Sequence, residues 1–403
     1  MSHFAQWIFR HTPRGRRLVL WLIPFAFLNG LLAGLRWPSL WATGHMVFDY
    51  HFGIGKRGLF GTLLHLVAPP PYHYLTLARI GFIVFGIWLT LLSVAAWRIA
   101  RRDTGIAASF VFFFLSAGFA SLVCDMGYLE HFGLVIVMIC LLLPHGRPWL
   151  ALRAVMATAA VFLHEANFLM FVPLIAFDTW AVGGFRLARR ALVEPLAVLA
   201  PASAAAFYLA NVRTACDHAA TLTYLQHKVR DFPIRDDAIE TLCRTGATNL
   251  ISVSYVWVKG WQLYFLFLAL VVILPSAIYN MALLRSMLRG RPVVVAAAVL
   301  AILSPCALIF VGADLVRFTS LIQLTSLLAL ISIARRVGLP SGGTLPALLR
   351  NPVLLSAIAA YELSTSLVLT DGSVMMKFPF VPLALRLIEV VLGMAPLLII
   401  PNA

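Results

Sequence analysis

Charge is scarce in this 403-residue chain, and acid is scarcest: 16 aspartates and glutamates stand against 31 lysines and arginines. Only 12% of residues are charged, while 61% are hydrophobic. Too few polar side chains remain to coat a water-soluble domain of this length, which excludes that class. Cysteine is sparse too, and Cys124, Cys140 and Cys306 show no metal-ligand spacing. His164-Glu165 lacks the second histidine of a His-Glu-x-x-His zinc site. There is no Walker or dinucleotide-binding motif, no long internal repeat and no low-complexity tract. Gly53, Gly55, Gly58 and Gly61 follow no strand and lack nucleotide-binding spacing, so they read as backbone freedom and close packing in a loop.

What is present is long apolar runs. Leu18–Leu35, Tyr74–Ala100, Thr104–Val123, Leu192–Asn211, Trp261–Leu284, Pro292–Val311, Phe318–Ala334, Pro352–Leu369 and Val381–Ile400 each read as a crossing of a roughly 30 Å hydrocarbon core. Between Tyr128 and Trp180 lie three shorter runs, broken at Pro144-His145-Gly146-Arg147 and at His164-Glu165. These predict tilted or partial helices inside the bundle, where protein neighbours satisfy the broken backbone. The expectation is one all-α, polytopic transmembrane bundle of about 10 to 13 segments. Arg10, Arg14, Arg16 and Arg17 precede the first run and no small-residue cleavage pattern follows it, so that span is expected to stay as an anchor.

With a cytoplasmic N-terminus and a reversal at each segment, the cytoplasmic turns collect those four arginines with Arg98, Arg101, Arg102, Arg147, Arg153, Arg186, Arg189 and Arg190. Arg285, Arg289, Arg291, Arg335, Arg336 and Arg350 join them, giving more than half of the 31 basic residues. Most acids fall on the other side: Asp49, Asp125, Glu130, Glu165, Asp217, Asp231, Asp236, Asp237, Glu240, Asp314 and Asp371. The net charge of +15 therefore reads as a topology signal against an anionic inner leaflet, with no nucleic-acid partner.

Two outer loops stand out. Residues 36–73 hold an Asp49-bearing turn and then a run, Leu59, Phe60, Leu63, Leu64, Leu66 and Val67, that suits a helix lying in the interface plane. Residues 212–258 form the longest polar segment and carry Cys216 and Cys243, which could pair in an oxidising compartment. Three more turns interrupt the apolar pattern on that side: Cys124–His131, Phe162–Asn167 and Gly312–Phe318. Asp125, Glu130 and His131 read as a solvated turn, Asp314 and Arg317 either as a local ion pair or as sugar and phosphate contacts. His164 and Glu165, in a greasy segment, mark function by default, as acceptor or phosphate contacts, unless they simply break a helix. Together the turns suggest one polar cavity.

An acid in the first outer loop, a surface helix behind it, a cytoplasmic N-terminus, ten or more spans and partial helices in the middle resemble the GT-C superfamily of integral-membrane glycosyltransferases. The resemblance is architectural and rests on one functional position, Asp49. It implies transfer of a sugar from a polyprenyl-phosphate donor to a glycan or lipid acceptor on the extracytoplasmic face of a bacterial plasma membrane, with Asp49 as general base. The chain lacks the paired acids of better-known members, which leaves Glu165 and Asp314 open for that role. The chemistry needs a carboxylate near the attacking hydroxyl and cations on the leaving phosphate. Lys56, Arg57 and Arg317 fit the second requirement, and His51 sits beside them among the substrate contacts. Arg79 and Arg386, near the outer ends of spans, either contact phosphate or pair with Glu362 or Glu389. No cofactor or metal ligand set is expected. A lipid-linked polysaccharide polymerase or ligase is the related alternative, given Arg213, Arg230, Arg235 and Arg244 in the long loop. A transporter or flippase using Glu362, Arg386 and Glu389 is the alternative of a different class.

Overall fold

The computed structural model describes residues 13–101, 103–144, 146–186, 189–212, 217–248, 251, 261–310, 315–337, 349 and 351–365. Among these residues every element is a helix, and the only β pairing is an isolated parallel bridge between Tyr72 and Val229. In chain order the helices are α1 (Pro13–Gly34), α2 (Leu40–Met46), α3 (Gly58–Val67), α4 (Tyr74–Ala100), α5 (Thr104–Leu115) and α6 (Ala117–Cys124). Next come α7 (Glu130–Leu142), α8 (Arg147–Leu163), α9 (Asn167–Met170), α10 (Val172–Val182), α11 (Arg189–Asn211), α12 (His218–His227) and α13 (Asp236–Cys243). The last are α14 (Trp261–Met287), α15 (Pro292–Leu303) with a 3₁₀ turn over Ser304–Phe310, α16 (Leu315–Arg336) and α17 (Pro352–Ser364).

Among the described residues five helices are long and apolar enough to cross a membrane: Tyr74–Ala100, Leu192–Asn211, Leu270–Met287, Pro292–Phe310 and Arg317–Arg336. A sixth arises if α5 and α6 count as one span. That is fewer than the nine spans read from hydropathy, and the differences have local causes. The run Thr104–Val123 bends by 52° at Ser116. There the hydroxyl donates to Phe113 O and accepts from Phe119 N, ending one helix and capping the next. The run from Pro352 is helical only to Ser364. Val381–Ile400 lies outside the described residues. As expected, the stretch 128–180 folds into short helices, α7 to α10, packed against one another and against α11 and α16.

The core is organised around α16, whose spanning window is 94% buried. It packs on α14, α6, α10, α15 and the 3₁₀ turn, while α5 and α6 are enclosed at every residue. Close approach of α1 to this pair depends on Gly30, where an added Cβ would lie 2.2 Å from Phe114 O. Pro275 breaks the hydrogen-bond ladder of α14 and strands the Val271 carbonyl. Helix α17 supplies what is missing: Tyr361 OH donates to Val271 O at 2.8 Å, and Glu362 Oε1 accepts from Ser276 N at 3.2 Å.

A second, smaller core joins the loop 36–73 to residues 222–243 across the top of α4. Tyr72 N donates to Lys228 O at 2.7 Å and Arg230 N to Tyr72 O at 3.0 Å, so the two loops fold as one cap. Within it α3 buries Leu64 and turns Leu63, Leu66 and Val67 outward. Its outward face is thus largely apolar, with His65 exposed among those residues.

Candidate functional site

The break at the end of α8 and the turn before α7 bring ionic groups to one end of the bundle. Helix α8 stops at His164, Asn167 Nδ2 donates back to Ala160 O at 2.9 Å, and the chain turns so that His164 and Glu165 project from the break. Arg57 takes a left-handed conformation at the start of α3 (φ 59°) and reaches Glu165 with two nitrogens: Nη2 to Oε1 at 2.9 Å and Nε to Oε2 at 3.3 Å. Its third nitrogen, Nη1, lies 3.0 Å from His45 Nε2. Guanidinium can only donate, so this His45 nitrogen is the unprotonated acceptor. Burial, then the Arg57 charge, holds the His45 imidazole well below its ordinary range, in agreement with a neutral ring.

Glu130 closes the cluster from the other side. Its Oε1 lies 3.5 Å from Arg317 Nη2 and 3.7 Å from His164 Nε2. His164 Nδ1 accepts from Ala166 N at 3.1 Å, so the ring proton sits on Nε2, facing Glu130. Arg317 also lies over the Tyr128 ring at 4.9 Å. Neither Glu130 oxygen has a hydrogen-bond partner among the described residues, although its side chain is only 6% exposed. A buried carboxylate in that condition is costly unless cations face it. Glu165 remains 25% exposed and so marks the site's opening. Burial raises the Glu165 carboxyl, but Arg57, His164 and Lys56 outweigh it and hold the group below the ordinary carboxylate range. Lys56 Nζ donates to the Arg244 carbonyl, tying the site to the cap. Burial lowers the Lys56 ammonium, with the Glu165 charge opposing.

Asp49 forms a different contact set. Its Oδ2 accepts from Lys228 Nζ at 2.6 Å and Tyr224 OH at 2.8 Å, and its Oδ1 from His51 N at 3.1 Å. Lys228 also donates to Val47 O at 3.1 Å, and the paired side chains are 4% and 10% exposed. Burial opposes ionisation, but the Lys228 and Tyr224 hydrogen bonds prevail and lower the Asp49 carboxyl. His51 stacks on Tyr224 with ring centroids 4.1 Å apart.

Of the residues singled out from the sequence, Arg57, His164, Glu165 and Arg317 therefore share one cluster with Lys56 at its edge, while Asp49 and His51 sit on the Lys228 side of the cap. Arg79 is exposed, and Glu362 is buried against Ser276 and Gln323. Asp314, Arg386 and Glu389 lie outside the described residues. The turn 125–131 corrects the expectation of a solvated loop: Asp125, Glu130 and His131 are 7%, 5% and 1% exposed. Short turns with one acid look solvated when the distant Arg317 is not in view. His45 and Lys228 were missed altogether, since an isolated His or Lys in a loop carries no sequence signal. Cys243 is disulfide-bonded, Cys140 and Cys306 are free, and Cys216 lies outside the described residues. Among the described residues no group of three or more His, Cys, Asp or Glu side chains is placed to hold a metal ion.

A second ionic cluster forms at the opposite end of α7 and α8. Asp178 takes Arg153 Nη2 at 3.3 Å, Arg336 Nη2 at 3.0 Å and the Ser332 hydroxyl at 2.7 Å. Arg153, Arg335 and Arg336 satisfy the open carbonyls of Cys140 to Leu143 where α7 ends. Basic residues assigned to one side by their sequence positions thus meet in space.

Fold and clusters define an all-helical bundle with helices able to cross a membrane, a capped ionic site at one end and an arginine-rich clasp at the other. In comparisons with known proteins, no family model, no curated protein and no solved structure matches this chain.

Proposed function

We propose that this protein is a membrane glycosyltransferase that moves a sugar from a polyprenyl-phosphate donor to a glycan or lipid acceptor, at the Glu165 end of the bundle on the extracytoplasmic side. The observation that carries the reading is the pairing of two carboxylates, the enclosed Glu130 and the partly exposed Glu165, with two arginines from distant elements, Arg317 and Arg57. Transfer needs both signs within reach: a carboxylate to take the acceptor proton and fixed cations for the departing phosphate.

In this reading Glu130 is the base, because its oxygens carry no hydrogen bond among the described residues while both Glu165 oxygens are occupied by Arg57. The acceptor oxygen attacks the anomeric carbon and its proton passes to Glu130. The bond from that carbon to the phosphate oxygen breaks, and the polyprenyl phosphate leaves with the electron pair. Arg57 and Arg317 exchange carboxylate for phosphate as its charge develops. Asp49, held by Lys228 and Tyr224, anchors the cap over the site, and this moves the base away from the position that the GT-C resemblance implies.

The deciding experiment compares envelope glycans and glycolipids by mass spectrometry in cells lacking the gene, complemented with wild type, Glu130→Gln or Arg57→Lys at matched abundance. Loss of one sugar, restored only by wild type, supports transfer; full restoration by Glu130→Gln removes the assigned base. A ladder of products would point instead to the polymerase or ligase.

A second reading has one observation in its favour. Helix α16 carries Gln323, Ser326 and Ser332 between Arg317 and the Asp178 clasp, with Asn280 and Glu362 hydrogen-bonded beside them. Such a buried polar file suits a transport path. Uptake into proteoliposomes without a covalent product would select it.

A further inference from the structure

Between α1 and α4, on the face turned away from the core, lies a groove that ends near the Asp178 clasp. One part, about 460 Å³, lies between Trp21, Phe27 and Trp97; a second, about 700 Å³, continues along α4 from Gly86 to Arg98. The two parts share Phe27, Ser93 and Trp97, so they form one channel. Pro24 of α1 lines the first part, and at Gly86 of α4 an added Cβ would meet nothing within 4 Å, so the groove is open there. At 1.5 Å per residue, Gly86 to Arg98 covers about 18 Å, close to one leaflet's half of a roughly 30 Å hydrocarbon core.

The mouth is chemically distinct from the floor. Trp21 and Trp97 are 75% and 62% exposed, the placement of aromatic side chains at the boundary between acyl chains and headgroups. Arg98 lines the groove beside them. It forms no ion pair among the described residues, Arg101 follows within one turn, and Arg335 approaches closely enough to repel it. Of the carboxylates at that end, Asp178 is committed to Arg153 and Arg336, Asp103 accepts from Gly105 N and Ile106 N as the cap of α5, and Glu194 lies beside Gly183 and Arg153. The mouth therefore carries surplus positive charge next to an apolar slot of acyl length.

We infer that this groove holds one anionic phospholipid of the leaflet at the Asp178 end, with an acyl chain along Phe27, Gly86 and Ser93 and its phosphate on Arg98. The site is independent of the transferase reading and lies at the other end of the bundle. It would act as a wedge that keeps α1 and α4 apart and links the clasp to the surrounding leaflet.

The test reconstitutes the full chain in vesicles of equal phosphatidylglycerol and phosphatidylcholine, re-extracts it in mild detergent and counts retained lipids by native mass spectrometry. Wild type is expected to keep one phosphatidylglycerol per chain, in at least about fivefold preference over phosphatidylcholine. Arg98→Gln should bring that preference near unity, Ser93→Trp should exclude both lipids by filling the slot, and Arg285→Gln, removing an equal charge outside the groove, should change neither. Equal retention of both lipids by wild type, or an unchanged preference in Arg98→Gln, overturns the inference. So does efficient disulfide dimerisation of a Ser93→Cys variant in the same vesicles, which would assign the groove to a second copy of the chain.

Discussion

Replacing Lys228 with methionine separates anchoring from chemistry at Asp49. The pair is 179 residues apart in sequence, meets at 2.6 Å and is almost enclosed, with side chains 4% and 10% exposed. Methionine retains most of the apolar stem, so the change chiefly deletes the ammonium and its bonds to Asp49 and Val47 O. Asp49 then keeps only Tyr224 OH and one backbone amide. Removing one partner of a buried ion pair costs about 3–5 kcal/mol, because the other charge is left uncompensated. In Asp49→Asn a neutral acceptor still faces Lys228, so the loss should be that of a charged hydrogen bond, about 1.5–3 kcal/mol. The double variant Asp49→Asn/Lys228→Met should recover part of the sum, with a coupling of about 0.5–3 kcal/mol. Denaturant unfolding in detergent reads the stabilities, and sugar transfer per folded molecule reads the chemistry. An anchor predicts large stability losses with activity per folded molecule within a few-fold of wild type. A Lys228→Met variant as stable as wild type to within about 0.5 kcal/mol, or an Asp49→Asn variant fully stable and inactive, would refute the reasoning.

Other outcomes follow from the same geometry. Arg57→Gln should be among the most damaging changes in the cap, by about 3–5 kcal/mol, since Glu165 loses a two-point partner; a cycle with Glu165→Gln showing no coupling would contradict it. Asp49 and Glu165 both titrate below their ordinary ranges, so they bind fewer protons folded than unfolded above their folded values. Their stabilisation is thus complete above roughly pH 5 and fades as pH falls through the folded values, which acid unfolding of wild type against Asp49→Asn will display as a shallower slope in the variant. Gly61→Ala should unseat α3, because the new Cβ would lie 2.0 Å from Phe48 O, at a cost of about 1–3 kcal/mol seen as easier proteolysis of the loop 47–73. Cys243 should resist maleimide until reductant is added, and labelling without it would overturn the assignment of a disulfide there.

Much of the helical framework was legible because hydropathy and length act locally. Tyr74–Ala100 and Leu192–Asn211 were delimited from apolar runs alone, and the short, broken helices of 128–180 followed from Pro144 and His164-Glu165. Hydropathy found α16 as a span but could not show that its window is 94% enclosed by protein, because burial in protein and burial in lipid read alike. It failed at Ser116, whose capping hydroxyl bends an unbroken apolar run. The site was half legible. His164-Glu165 stood out because charge inside a greasy segment is expensive. Its partner Arg57 was visible as a cation, but the pairing across 108 residues was not. The pairing of Asp49 with Lys228 was not legible either, because this counterion from the long loop has no spacing that announces it.

The proline break in α14 bears on the order in which the chain can be assembled. When α14 leaves the ribosome, its open Val271 carbonyl lacks the Tyr361 hydroxyl, which is encoded 90 residues later. At synthesis rates of about 5–20 residues per second, that interval lasts roughly 4–18 s. Exposed backbone groups are not tolerated against lipid tails. Helix α14 must therefore be held by the insertion machinery or by water until α17 arrives, and truncation before Tyr361 should leave an α14 that is synthesised but not retained in the bilayer.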